Sequence, residues 1–120
     1  MNIDKQTAEK LNAGSLADCV TSCRNILQAL EYKTNRNATV FQAQTLLHVL
    51  KTRVIREFKL REEDLSGIPD FEILEIAQAG LDSYDKGADD SSKASVIELF
   101  KLDMEVAILM LETHIIKTKA

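Results

Sequence analysis

Hydrophobic residues recur along the chain at the spacing of amphipathic helices. No stretch alternates apolar and polar residues for long enough to indicate a half-buried strand. Three apolar stripes with helical spacing precede the C-terminal region and define a predicted core. Their members are Leu16, Cys19, Val20, Cys23, Ile26, Leu27 and Leu30, then Val40, Ala43, Leu46, Leu47, Leu50 and Val54, then Phe71, Leu74, Ala77, Leu81 and Tyr84. The pattern predicts an all-α fold.

Capping residues predict the limits of the first helices. A short N-terminal helix is predicted over residues 4–12, ending before Gly14. The second helix is expected to begin after Ser15, which is placed to cap it, and to end near Tyr32. A polar segment after Tyr32 has the composition of a turn.

The next two predicted helices have clear start signals. Thr39 and Gln42 have the spacing of a capping box, which predicts that the third helix starts there and continues to about Phe58. Residues 66–69 are the strongest break in the sequence. The only proline, Pro69, is placed to start the fourth helix.

The last helix, predicted over residues 95–116, is apolar on nearly every side. Ser95 and Glu98 repeat the capping-box spacing at its start, after a polar connection over residues 85–92. On a helical projection most of its polar residues form one narrow stripe, made of Glu98, Lys101, Glu105 and Glu112. Asp103 and His114 lie almost opposite that stripe. A helix of this kind is expected to be surrounded by neighbours.

The 120 residues are enough for a single domain, predicted over residues 1–120. Short connections between long helices favour antiparallel neighbours. We therefore expect a compact antiparallel bundle of four longer helices plus the short N-terminal helix. The hydrophobic C-terminal helix is expected to be central or to lie at an oligomer seam.

The net charge of −4 hides an asymmetry. Residues 1–61 hold ten basic and five acidic side chains, whereas residues 62–120 hold five basic and fourteen acidic ones. The two halves either neutralise each other on packing or present a bipolar surface to a partner. The acidic half disfavours a broad nucleic-acid role. The basic end of the third helix keeps weak nucleic-acid binding as an alternative, through Lys51, Arg53, Arg56, Lys59 and Arg61.

Several classes of function lack a signature. The longest uninterrupted apolar run, residues 106–111, is far short of a membrane span, and no secretory signal is present, so we expect a cytoplasmic location. Cys19 and Cys23 are one helical turn apart and are expected to be buried, reduced thiols. A zinc site joining them to the two histidines matches no compact finger pattern. We expect no enzymatic activity, cofactor, metal or small-molecule substrate.

His48 provides an alternative function. Residues 47–51, LHVLK, resemble the centre of the active helix in histidine phosphotransfer domains. Those domains are also four-helix bundles of about this length, and a lysine follows their phosphorylated histidine three positions later, as Lys51 does here. The resemblance implies that His48 accepts phosphate. Thr52 replaces the glycine of the family, and residues 53–55 replace the small residues that let a partner aspartate approach.

The leading prediction is a small helical module that binds a partner protein or a second copy of itself, as an adaptor, inhibitor, immunity-type protein or assembly subunit, with self-association as the leading version. A carboxylate on an apolar helix face needs a partner, and the cations near the end of the third helix could supply one. Ala107 would allow close helix approach, and Met110 would adapt to the shape of a partner. The predicted partner-binding residues are Asp103, Ala107, Met110, His114, Arg53 and Arg56.

Overall fold

The computed structural model describes residues 14–30 and 36–119. Within these ranges the chain is helical and contains no strand, which confirms the all-α prediction. Its elements are α1 (Leu16–Ala29), α2 (Arg36–Glu57), a 3₁₀ segment (Glu62–Gly67), α3 (Pro69–Asp82) and α4 (Asp90–Lys119). The helix predicted over residues 4–12 and the end predicted near Tyr32 lie outside the described residues.

One hydrophobic core joins the helices. Every predicted core position of the first three stripes is buried except Tyr84, which is half-buried beyond the end of α3. The fourth helix adds its own buried side chains, Ile97, Phe100, Met104, Ala107, Ile108 and Leu111. Removing this apolar surface from water is the main favourable contribution to folding.

Polar side chains connect the helices at several points. Arg24 on α1 pairs with Glu112 on α4. At the start of α2, Arg36 pairs with Asp90 at 3.5 Å, and Asn37 accepts a hydrogen bond of 2.5 Å from the Tyr84 hydroxyl. The fourth helix packs against each of the other three.

The starts of α1 and α3 confirm two of the predicted boundaries. The Ser15 hydroxyl accepts a 3.1 Å hydrogen bond from the backbone N–H of Asp18, which satisfies one of the free donors at the start of α1. Pro69 is the first residue of α3, where its missing N–H removes no helical hydrogen bond.

The two predicted capping boxes are wrong, because α2 and α4 start earlier. Thr39 is already helical and fully buried, so it contributes to the core instead of the helix start. The fourth helix is capped by Asp89, whose Oδ1 accepts a 2.7 Å bond from the Ser92 N–H. This bond lowers the pKa of Asp89. Ser95 lies one turn inside α4 and donates its hydroxyl to the Ser91 carbonyl at 3.0 Å.

The end of α2 is set by a left-handed residue. Lys59 has φ 56, and the Leu60 N–H donates to the Ile55 carbonyl at 2.9 Å, as in a Schellman motif. The chain then forms the 3₁₀ segment, for which the sequence pattern made no prediction. Leu65 in that segment is fully buried.

Candidate functional site

An apolar stripe is exposed along α4. It consists of Leu99, Leu102, Val106 and Leu109, with 53%, 60%, 47% and 61% of their surface exposed. Their spacing of three, four and three residues places them on one face of the helix, over about 15 Å. Single exposed leucines are ordinary, whereas four exposed apolar side chains in one row form a contiguous apolar patch, which is uncommon on a monomer.

The opposite face of α4 lies in the core, so the helix is covered on one side by the described chain. The described residues therefore do not surround α4, and of the two predicted positions of this helix, central or at an oligomer seam, the central one is not observed within them. The sequence pattern did not single out the stripe, because nearly all of α4 is apolar. One signal in the sequence could have indicated the stripe. Its apolar residues are alternately three and four positions apart, as in the seam of a coiled coil.

Carboxylates flank this stripe, which we call the α4 stripe. Glu98 and Glu105 are exposed along one edge, and Glu112 continues that edge but is paired with Arg24. Asp103 lies half-buried on the other edge. The apolar surface is thus bounded by negative charge on both sides.

A groove between α1 and α4 extends the apolar surface. It has a volume of about 270 Å³ and is lined by Arg24, Leu27, Gln28, Glu105, Ile108 and Leu109. Leu109 belongs to both the groove and the α4 stripe. A side chain of a molecule bound on the stripe could therefore enter the space beside α1.

No known protein family, curated protein or solved structure matches this chain. The chemistry of the surface is therefore the basis for any functional assignment.

The residues of α4 that were predicted to bind a partner are more buried than expected. Ala107 is 1% exposed and packs in the core, so it is not available to a partner while the helices stay together. Met110 is half-buried. His114 is also half-buried, and its ring lies 4.8 Å from the ring of Phe58, edge-on, and 6.2 Å from that of Phe71. This face contributes mainly to the packing of α4.

The cations near the end of α2 that were expected to supply a partner for Asp103 do not lie next to its carboxylate. Arg53 is buried and its Nε donates to Glu57 Oε2 at 3.3 Å, one turn along the same helix. Arg56 is exposed near the end of α2, where Phe58 packs against His114, eleven positions along α4 from Asp103. The structure therefore does not bring Arg53 or Arg56 to Asp103.

Two other cations of this region, Lys51 and Arg61, are also paired with carboxylates, whereas Lys59 is exposed. Lys51 Nζ lies 3.0 Å from Glu75, and Arg61 contacts Glu63 at 3.1 Å and Asp64 at 3.4 Å. These pairs reduce the positive charge available to a phosphate backbone. The region gives less support to nucleic-acid binding than its sequence suggested.

His48 is exposed on α2. Arg53 and Val54, whose size suggested crowding around the histidine, both turn into the core. The exposed residue one turn after His48 is Thr52. Access to His48 is therefore open, although Lys51 is held by Glu75.

Cys19 and Cys23 are free and buried, as predicted. Their thiols share a hydrogen bond, which lowers the pKa of Cys19 and, together with burial, raises that of Cys23. Within residues 14–30 and 36–119, no group of three or more potential ligand side chains is arranged to hold a metal ion. In the same part of the chain, no helix has the length and apolar character that crossing a membrane requires.

Burial of Asp103 leads to a pH-dependent prediction. Desolvation raises the pKa of its carboxyl in the folded state, so the charged form is less stable there than in the unfolded chain. This destabilisation is fully present at pH values above the pKa of Asp103 in the folded state. It disappears at pH values below the pKa of an aspartate in the unfolded chain, which is about 3.9. We expect Asp103→Asn to raise Tm at pH 7 and to have little effect near pH 3. Thermal unfolding of the wild type and of the Asp103→Asn variant, between about pH 3 and about pH 7, measures the difference in Tm.

The matched control is Glu105→Gln, which removes an exposed carboxylate from the same helix. We expect it to change Tm by less than the Asp103 substitution at pH 7. An Asp103→Asn variant that is less stable at pH 7 would show that the carboxylate makes a favourable interaction in the fold.

Proposed function

We propose that this chain is a small, non-enzymatic interaction module that binds a helix of a partner protein on the α4 stripe. The observation that carries the proposal is the exposed row of Leu99, Leu102, Val106 and Leu109. Covering side chains that are about half exposed contributes roughly 1 kcal/mol each. Helices with apolar residues three and four positions apart are the natural occupants of such a row.

The proposal takes the four helices to be an antiparallel, up-and-down bundle. Two observations support that arrangement. The start of α2 meets the end of α3 through Asn37 and Tyr84, and the start of α4 through Arg36 and Asp90. The start of α1, the end of α2 and the end of α4 line a common groove, which includes Leu16, Phe58 and His114. In this arrangement the other helices hold α4 in place and its stripe faces outward.

The free thiols suit a reducing compartment, so we place the module in the cytoplasm. Its role as an adaptor, inhibitor, immunity-type protein or assembly subunit depends on the partner. The occupant of the stripe in this proposal is a different protein. A second copy of the chain is the competing occupant, and the experiments below detect it.

The test uses a designed helical peptide of about 21 residues with leucine at the two seam positions of each heptad and glutamine at the flanking positions. We expect this neutral peptide to bind the wild-type chain. Leu102→Glu should weaken binding at least about tenfold, because it places a charge in the middle of the apolar row. Isothermal titration calorimetry measures the dissociation constants.

The control is Ile76→Glu, which also replaces an apolar side chain with glutamate, at a position on α3 that is 50% exposed. Binding by this variant should stay within about twofold of wild type. If the two variants lose binding equally, or if the wild type binds no peptide, the α4 stripe is not a helix-binding surface. Circular dichroism confirms that each variant remains helical.

Phosphotransfer through His48 is the second candidate function. The observation in its favour is that His48 is exposed while Arg53 and Val54, two of the three bulky residues expected to crowd it, face the core. The pairing of Lys51 with Glu75 counts against it, because the lysine is already neutralised by a carboxylate. We therefore rank it below helix binding.

A further inference from the structure

We propose that the partner helix on the α4 stripe carries lysine or arginine along both of its flanks. This inference rests on the proposed function and specifies the chemistry of the partner. It starts from the charge around the stripe. Between residues 98 and 112 of α4 there are four carboxylates and a single lysine.

The carboxylates lie where the flanks of a bound helix would lie. In a two-helix seam, the residues next to the apolar row meet the corresponding residues of the partner. On this surface those positions are Glu98 and Glu105 on one edge and Asp103 on the other. Basic residues on the partner would face carboxylates on both edges, which fixes the register and favours the correct partner.

The same charges disfavour a second copy as the occupant. Two α4 stripes packed face to face would bring Glu98, Asp103 and Glu105 of each chain toward the carboxylates of the other. Lys101, the one cation of this part of α4, is half-buried and already has an interaction. Like charges along both edges of an apolar seam select against self-pairing.

Arg24 does not reverse the negative charge of this surface. Its guanidinium lies in the groove between α1 and α4 and pairs with Glu112. The pair is locally neutral, whereas Glu98 and Glu105 are exposed on the same edge. Among residues 14–30 and 36–119, the cations beside the stripe between Leu99 and Leu109 are Arg24 and Lys101, and both already have an interaction, so a basic helix can approach there.

The experiment compares three peptides of about 21 residues with the same leucine seam and with lysine, glutamine or glutamate at every flanking position. Calorimetry against the full chain gives their dissociation constants in about 50 mM and about 300 mM salt. At low salt we expect the lysine peptide to bind about tenfold tighter than the glutamine peptide, and the glutamate peptide to bind weakest. The lysine advantage should shrink at high salt.

A charge-reversed variant supplies the matched test. Glu98→Lys with Glu105→Lys should invert the preference, so that the glutamate peptide binds tighter than the lysine peptide. Both substitutions are at exposed positions, and circular dichroism checks that the helices are intact.

The outcomes separate the two proposals. If the glutamine peptide binds in a Leu102-dependent way and the lysine peptide gains nothing, the charge inference is overturned and the proposed function stands. If no peptide binds, both are overturned. If light scattering shows a dimer that Leu102→Glu dissociates, the occupant is a second copy, and the inference of a basic partner is wrong.

Discussion

Replacing Leu111 with alanine is expected to lower the free energy of unfolding by about 3 kcal/mol, because this side chain is fully packed in the core. Leu111 is 1% exposed on the inner face of α4. Its truncation removes buried methyl groups and leaves a cavity that the surrounding helices fill only in part. For a domain of this size the change corresponds to a fall in Tm of about 10–15 °C. Urea and thermal unfolding measure it.

The matched control is Leu109→Ala on the same helix, where the same chemical change is made at a side chain that is 61% exposed. We expect a change within about 0.5 kcal/mol. The pair tests which face of α4 is buried. If both substitutions reduce stability equally, the α4 stripe is covered in solution. Repeating the measurement at several protein concentrations then shows whether a second copy covers it.

The second large effect on the free energy of unfolding is expected at Arg53, whose guanidinium is buried. Its side chain is 6% exposed, and Glu57, which is 42% exposed, accepts from its Nε. Glu57→Ala is expected to reduce stability by about 2 kcal/mol, since it leaves a buried cation with one charged partner fewer. In an Arg53→Met background, where the cation is absent, the same substitution should have little effect. A double-mutant cycle in urea isolates this coupling.

Arg53→Met alone should be close to neutral, because an apolar side chain of similar length can fill the site without a charge to desolvate. The surface comparison is Glu63→Ala, which removes a partner of Arg61, whose side chain is 76% exposed. We expect that change to stay within about 0.5 kcal/mol. Equal effects of Glu57→Ala in both backgrounds would show that Arg53 does not depend on this pair.

The sequence was sufficient to predict the elements whose signals are local. Apolar residues at helical spacing gave the core positions of α1, α2 and α3. Ser15 and Pro69 marked two helix starts, because a capping hydroxyl and a proline act within one turn of the chain. Where two residues could each cap the same helix, the local sequence does not show which of them does so. Asp89 caps α4 in place of Ser95, and the extra turn follows from that choice.

Buried polar residues and the 3₁₀ segment were not predictable in this way. Thr39 and Arg53 have ordinary surface chemistry, and Leu65 lies between polar residues, yet all three are buried. Their burial depends on which neighbouring helices pack over them. A pattern along one segment does not contain that information.

The pattern of apolar residues was enough to predict that the chain is helical, that most of its apolar residues form a core, and that α4 carries more apolar surface than one buried face requires. Which side of α4 the core covers follows from the packing of the other helices. Leu102 and Leu111 are the same residue type on the same helix, and their local sequences do not distinguish them. The other helices occupy one side of α4 and exclude water there, so Leu111 becomes part of the core and Leu102 remains exposed to solvent.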